Sequence, residues 1–222
     1  MTASSKNKRK RFIGSTVHTG YKEISSDGRK AVVVTTNDYL NDQGKKMVED
    51  ERRFTFHIDP ATRARVIDAV ITFIGSEASV NLGDIKDAGF NVRVAHTMCV
   101  DAGQGGKIIN SEGQKDQDAW AKRAKWVSFT GPVEGETLGV AMFNHPSSLQ
   151  HPSPWHVRTY GLLTANPFGL RSLGLAKDDE KDGSIKLSKG ETLTLRHRVI
   201  FHKGSTAEAS IAAAYEAYAK EK

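Results

Sequence analysis

The sequence predicts a mostly β protein: an antiparallel β-sandwich, alone or as part of a larger supersandwich, with a C-terminal α-helix. Three observations predict this class. Apolar and polar residues alternate with period two over several stretches. Turn-forming clusters separate those stretches at hairpin spacing. Helical spacing of apolar residues is confined to the last part of the 222-residue chain.

The elements follow in order. Ser26-Asp27-Gly28 ends a first extended run and leads into residues 29–40, and Asn41-Asp42-Gln43-Gly44 separates that run from residues 45–58. Val32, Val33 and Val34 are β-branched, and Phe54, Phe56 and Ile58 alternate with Arg53, Thr55 and His57, which favours strand over helix. Glu49, Glu51 and Arg53 fall on one face of their strand, where charges pair with neighbouring strands. Residues 66–74 alternate again and complete a meander of about four strands. Residues 75–120 are glycine-rich and polar, with an extended piece at 90–96 and a loop around 102–106. Strands resume at 126–130 and 138–143. Four of the six prolines then fall between Pro146 and Pro167, a rigid loop interrupted by one extended piece at 155–162. In the last strand, 192–202, Leu193, Leu195, Val199 and Phe201 share a face that His197 interrupts as a core histidine with a hydrogen-bond partner. Ser205 and Glu208 form a capping box, and Ile211, Ala214, Tyr215 and Tyr218 recur at helical spacing behind it.

Counting glycine and omitting tyrosine, about 45% of the residues are apolar, an ordinary globular share. The net charge of +6 comes from 32 basic and 26 acidic residues, and Lys6, Lys8, Arg9, Lys10 and Arg11 supply five of those charges. Residues 1–10 therefore read as a basic flexible tail and residues 11–222 as a single β-sandwich domain with no basic face, so no nucleic-acid partner is expected. The single cysteine, Cys99, excludes an intramolecular disulfide and any multi-cysteine metal site, and reads as a buried thiol. With no run of ~18 apolar residues and no apolar signal core, the sequence as written places the protein in the cytoplasm, off the membrane.

The densest polar constellation is Asn144-His145-Pro146, His151-Pro152, Trp155-His156-Val157-Arg158 and Asn166-Pro167-Phe168-Gly169. Proline restrains itself and the residue before it, so His145, His151 and Asn166 have little backbone freedom. Such imidazoles serve as general acid or base, with His145 and His156 the leading pair, or as ligands of a divalent metal through His145, His151 and His156. Their spacing, H-x5-H-x4-H, matches no short zinc signature, and hydrogen bonding to loop carbonyls is the structural alternative. No cofactor is required by the sequence.

Glu112, in the loop 105–113, is the carboxylate candidate for acid–base work, against the plainer reading of a solvated turn residue. Sugars stack their C–H faces on aromatic rings and pair their hydroxyls with amides, carboxylates and guanidinium groups. Trp120, Trp126 and Trp155 are candidates for the first role, although tryptophan in a sandwich also serves as core. Asn110, Asn144, Asn166, Arg123 and Arg158 are candidates for the second. The glycines at 103, 105 and 106 lack the strand–turn–helix setting and G-x-G-x-x-G spacing of a dinucleotide site.

At Gly89-Phe90, Arg93-Val94-Ala95, Asn110-Ser111-Glu112-Gly113, Lys122-Arg123-Ala124, Trp126-Val127, Asn144-His145-Pro146-Ser147, Trp155-His156-Val157-Arg158, Tyr160-Gly161-Leu162, Ala165-Asn166-Pro167-Phe168-Gly169 and Gly190-Glu191-Thr192-Leu193, the chain resembles a bacterial family of unknown function. That family carries the label "methane oxygenase PmoA", and the resemblance spans roughly residues 25–218. The true particulate methane monooxygenase subunit of that name is an integral membrane protein, whereas this sequence has no spanning segment. The resemblance implies soluble or exported proteins of polysaccharide-degrading bacteria, and so a carbohydrate ligand. Such relatives carry an upstream segment of the type H-R-G-x-x-x-x-H-G that is not matched here, which implies a truncated start or a site completed by a second subunit in a homo-oligomer.

Three functional expectations follow. The first is a carbohydrate-active lyase, hydrolase or epimerase with His145 or His156 and Glu112 as acid and base in a loop-built cleft. Asn110, Asn144, Arg158, Asn166, Trp155 and Arg123 then bind a small-molecule or oligosaccharide substrate, a neutral polyhydroxylated one given the near-neutral body of the chain. The second is a non-catalytic carbohydrate-binding or accessory sandwich. The third is a metal-dependent oxidoreductase.

Overall fold

The computed structural model describes residues 14–221, so the basic tail expected at residues 1–10 lies outside the described residues. β1 (Ser15–Ser26), β2 (Lys30–Leu40), β3 (Lys46–Ile58) and β4 (Arg65–Ile74) form the expected antiparallel meander. Its turns form where short polar side chains capture their own backbone. Asp27 accepts the amides of Arg29 and Lys30, and Asn41 accepts those of Gln43 and Lys45.

The chain continues through β5 (Val80–Leu82), β6 (Phe90–Arg93), β7 (Lys107–Asn110), β8 (Trp126–Val133) and β9 (Glu136–Asn144). Then come β10 (Trp155–Arg158), β11 (Leu162–Ala165), β12 (Ile185–Leu187), β13 (Thr192–Lys203) and the helix α1 (Ile211–Tyr218). One antiparallel eight-stranded sheet has the order β1-β2-β3-β4-β13-β9-β8-β7, a three-stranded sheet has the order β10-β11-β6, and β12 pairs with β5.

The two larger sheets pack face to face. Val127, Phe129, Val140, Met142 and Val199 of the large sheet meet Trp155, Val157, Leu163 and Ala165 of the small one in a single apolar core. The opposite face of the large sheet carries α1, whose Ile211, Tyr215 and Tyr218 cover Trp126, Ala141, Phe143 and Ile200. The layers thus run helix, large sheet, small sheet, and the antiparallel sandwich with a C-terminal helix is the observed class. Among the described residues no helix is long and apolar enough to cross a membrane.

Cross-strand pairing gives each face of the meander its own character. Lys22 with Glu51, Arg53 with Glu23 and Lys46 with Asp38 pair across strands on the face away from the small sheet, as the charge pattern predicts. The other face carries Val33, Phe54 and Phe56, together with Asp50 and Arg52. The small sheet roofs this inner face only as far as β6, its edge strand, where Phe90 stacks on His197 of β13 with ring centroids 5.2 Å apart.

Three local expectations are corrected. Residues 155–162 are not one strand: Gly161, at φ +96°, turns the chain back so that β10 and β11 pair as a hairpin. A side chain there would also meet the Cys99 sulfur, 2.7 Å from the Cβ position. The extended piece at 90–96 stops at Arg93, and a 3-10 turn begins at His96. The capping box forms, with the Ser205 amide and hydroxyl donating to Glu208 and the Glu208 amide to the Ser205 hydroxyl, but it closes a turn. Ser210 then adopts a left-handed conformation at φ 51°, and the helix starts after it.

Candidate functional site

Beyond the edge of β6, a cavity of 230 Å³ lies against the inner face of β3 and β4. Tyr39, Asp50, Arg52 and Asn91 supply its polar lining, and Phe54, Phe73, Phe90 and Phe168 are among its apolar walls. β-sheet periodicity explains the polar part: Asp50 and Arg52 are two residues apart on β3, so both project to the inner face while Glu49, Glu51 and Arg53 project outward.

The Asp50 side chain is wholly buried, whereas Arg52 keeps 32% of its side chain exposed. Asp50 accepts hydrogen bonds from Asn37 Nδ2 at 2.7 Å, Tyr39 Oη at 2.6 Å and Arg52 Nε at 2.9 Å. Arg52 Nη2 in turn donates to Tyr39 Oη at 2.9 Å. A carboxylate removed from water is tolerable only when paired and hydrogen-bonded in this way. Burial, and then the neighbouring Asp50, push the Tyr39 phenol up to about 12, so it stays protonated and keeps donating. Phe73 packs edge-to-face on Phe168, with centroids 6.4 Å apart. The result is a fixed cluster of donors and acceptors beside flat apolar walls.

Two of the residues singled out from sequence build this cavity without lining it. Asn166 donates through Nδ2 to the carbonyls of Ile85 and Lys86, each at 2.9 Å, while its Oδ1 accepts the Phe168 amide at 3.0 Å. His156 donates through Nδ1 to the same Lys86 carbonyl at 2.8 Å. Together they fix the segment entering Gly89-Phe90 and set Phe168 against Phe73. Gly89 itself has φ +102° and runs so close to β11 that a Cβ would lie 2.1 Å from the Ala165 oxygen. Burial lowers the His156 pKa, so its ring is neutral near pH 7 and serves as a backbone clamp.

The remaining candidates do not converge. His145 lies on the helix side, with Nε2 on the Glu221 carbonyl, Nδ1 on Ser147 and its ring edge-to-face with Tyr218. His151 pairs with Asn144 Oδ1 at 2.9 Å and faces Tyr215 Oη at 3.4 Å. His156 sits in β10 on the side opposite its core-facing neighbours Trp155 and Val157, so the large sheet and the core separate it from His145. Glu112 is exposed in a turn, held by Ser111 and lining a surface hollow with Lys125, Trp126 and Glu216. His145, His156 and Glu112 thus make no common cleft, and the three histidines make no metal site. The reason is physical: each imidazole, in a proline-flanked loop for His145 and His151 and in β10 for His156, is consumed by a nearby carbonyl, hydroxyl or amide. Among the described residues no group of three or more His, Cys, Asp or Glu side chains is placed to hold a metal ion.

Asn110 is buried and closes its own turn, accepting the amides of Glu112 and Gln114. Arg123 holds the carbonyls of Gln150 and Pro152. Asn144 is fully buried beneath His151. Trp155 is 0% exposed, donates to the Ala124 carbonyl and is core, and Trp126 is also buried, so no three-tryptophan platform forms. Arg158 lies on the outer face of the small sheet, over the rings of Trp120 and Tyr160.

Fold and cavity together define a two-sheet β scaffold with a small, polar and aromatic-lined cavity at the edge of its roofing sheet. The chain belongs to a family of unknown function (DUF6807), which matches residues 3–216. No curated protein matches it.

Proposed function

We propose that this protein is a carbohydrate-binding sandwich that takes a single sugar ring in the Asp50 cavity, with no acid–base catalysis by His145, His156 and Glu112. The observation that carries this reading is the buried Asp50 carboxylate, forked between Tyr39 and Arg52 at an aromatic-walled cavity. A pyranose has apolar faces and a rim of hydroxyls, and it needs both parts of this arrangement. At 230 Å³ the cavity falls below the roughly 300–1,000 Å³ of sites for drug-sized ligands, which suits one ring or one chain end. A metal-dependent oxidoreductase, suggested by the label "methane oxygenase PmoA" among resembling relatives, has less support, because its three candidate ligands are engaged separately.

The test is calorimetric titration with a panel of neutral mono- and oligosaccharides, using wild type, Arg52→Lys and Phe54→Leu. At least one saccharide binds wild type saturably, and each variant weakens it about tenfold or more while melting cooperatively. Absence of any binder, or a binder indifferent to both substitutions, overturns the proposal.

A further inference from the structure

The outer face of the small sheet carries a second cluster, separate from the Asp50 cavity. Pairing sets Arg158 of β10 opposite Leu162 of β11, and Leu162 opposite Arg93 of β6, so the two arginines flank Leu162 on one face about 10 Å apart at the backbone. Both reach the same ring. The Arg93 guanidinium lies 5.3 Å and that of Arg158 5.6 Å from the Tyr160 centroid, and Arg158 is also 5.8 Å from the Trp120 centroid.

Cation–π stacking restrains a guanidinium while leaving its N–H edge available to an acceptor in its plane. Among the described residues, no carboxylate, carbonyl or hydroxyl fills that role: neither guanidinium group has an ion pair or a hydrogen bond. Asp101 is near enough to act with Arg93 on the Cys99 thiol, yet it pairs with neither arginine. Two donors in the cluster are also buried without an acceptor, Arg158 Nε and Trp120 Nε1. Buried donors are rarely left unpaired, and two side by side beside two unneutralised charges mark a place for an anionic acceptor.

We propose that Arg93, Arg158, Trp120 and Tyr160 form an oxyanion-binding site for a carboxylate, sulfate or phosphate group. Arg93 and Arg158 grip the oxygens from two strands of a rigid sheet. Trp120 Nε1 and Arg158 Nε gain acceptors as the group settles.

The experiment is 15N NMR titration of the full chain with sulfate, inorganic phosphate, glucuronate and glucose, against chloride at matched ionic strength. The Trp120 indole N–H and Arg158 Nε–H resonances shift saturably with at least one oxyanion and with neither glucose nor chloride. Arg93→Gln and Arg158→Gln each weaken that binding about tenfold or more, the loss of a charge-assisted hydrogen bond. Arg93 is exposed, so its variant keeps the test decisive if Arg158→Gln misfolds. Preference for glucuronate assigns the site to a sugar acid, and preference for sulfate or phosphate to those groups or their esters. A response that chloride reproduces, or that Arg93→Gln leaves intact, overturns the proposal whatever happens at the Asp50 cavity.

Discussion

Replacing Tyr39 by phenylalanine removes one oxygen and two hydrogen bonds: the 2.6 Å bond it donates to Asp50 and the 2.9 Å bond it accepts from Arg52. Asp50 then remains buried with only Asn37 and Arg52 to hold it. A hydrogen bond to a charged group contributes about 1.5–3 kcal/mol, so Tyr39→Phe loses stability on that order. For a chain of this size each kcal/mol lowers Tm by about 2–4 °C, which gives a fall of roughly 3–12 °C. Urea unfolding gives the free energy, with an unchanged denaturant slope showing that the loss is local. A second readout isolates the hydroxyl. The folded phenol is held up to about 12 against an ordinary 10.0, so between those values the unfolded chain releases a proton that the folded chain keeps. Stability therefore falls as pH rises through that window, and the Tyr39 share of the fall disappears in Tyr39→Phe. A Tm within about 1 °C of wild type, with the alkaline profile unaltered, refutes the network around Asp50.

Two further outcomes follow from the same physics. Asn166→Ala orphans the Phe168 amide and strips one donor each from the Ile85 and Lys86 carbonyls, which keep only the Ala88 amide and His156 Nδ1, costing about 2 kcal/mol in urea unfolding; a near-neutral result contradicts its anchoring role. Burial lowers His145, His151, His156 and His202, and brings His197 down to about 4 from 6.5. As pH falls from 6.5 toward 4 the unfolded chain takes up protons that the folded chain refuses, so stability drops with pH, and His197→Phe makes the drop shallower. An identical pH slope for wild type and His197→Phe contradicts the buried, neutral His197.

Much of the scaffold is legible in the sequence because its signals are local. Polar turn residues and period-two alternation mark the meander, and helical spacing marks α1. The hairpin of β10 and β11 escapes notice because its turn, Thr159-Tyr160-Gly161, depends on a left-handed glycine and on Cys99 far away in sequence. The cavity is harder to see. Glu49-Asp50-Glu51-Arg52-Arg53 reads as a solvated, ion-paired strand, and only the packing of β6 and Phe168 from distant parts of the chain makes two of those charges inward-facing. Alternation was the available signal, since whatever puts Glu51 outward puts Asp50 and Arg52 inward. For the proline-flanked histidines and asparagines, rigidity was legible but its use was not. A fixed imidazole finds a backbone carbonyl or a neighbouring side chain as readily as a substrate, as His145 and His151 do, and proline-flanked Asn166, with His156 of β10, anchors the cavity from behind.

The measurement that bears most directly on the Asp50 cavity is the calorimetric titration of neutral saccharides into wild type beside Arg52→Lys and Phe54→Leu. Binding of one saccharide at unit stoichiometry, weakened about tenfold by each substitution, is the predicted result. Binding that survives both substitutions, or no binding across the panel, contradicts it.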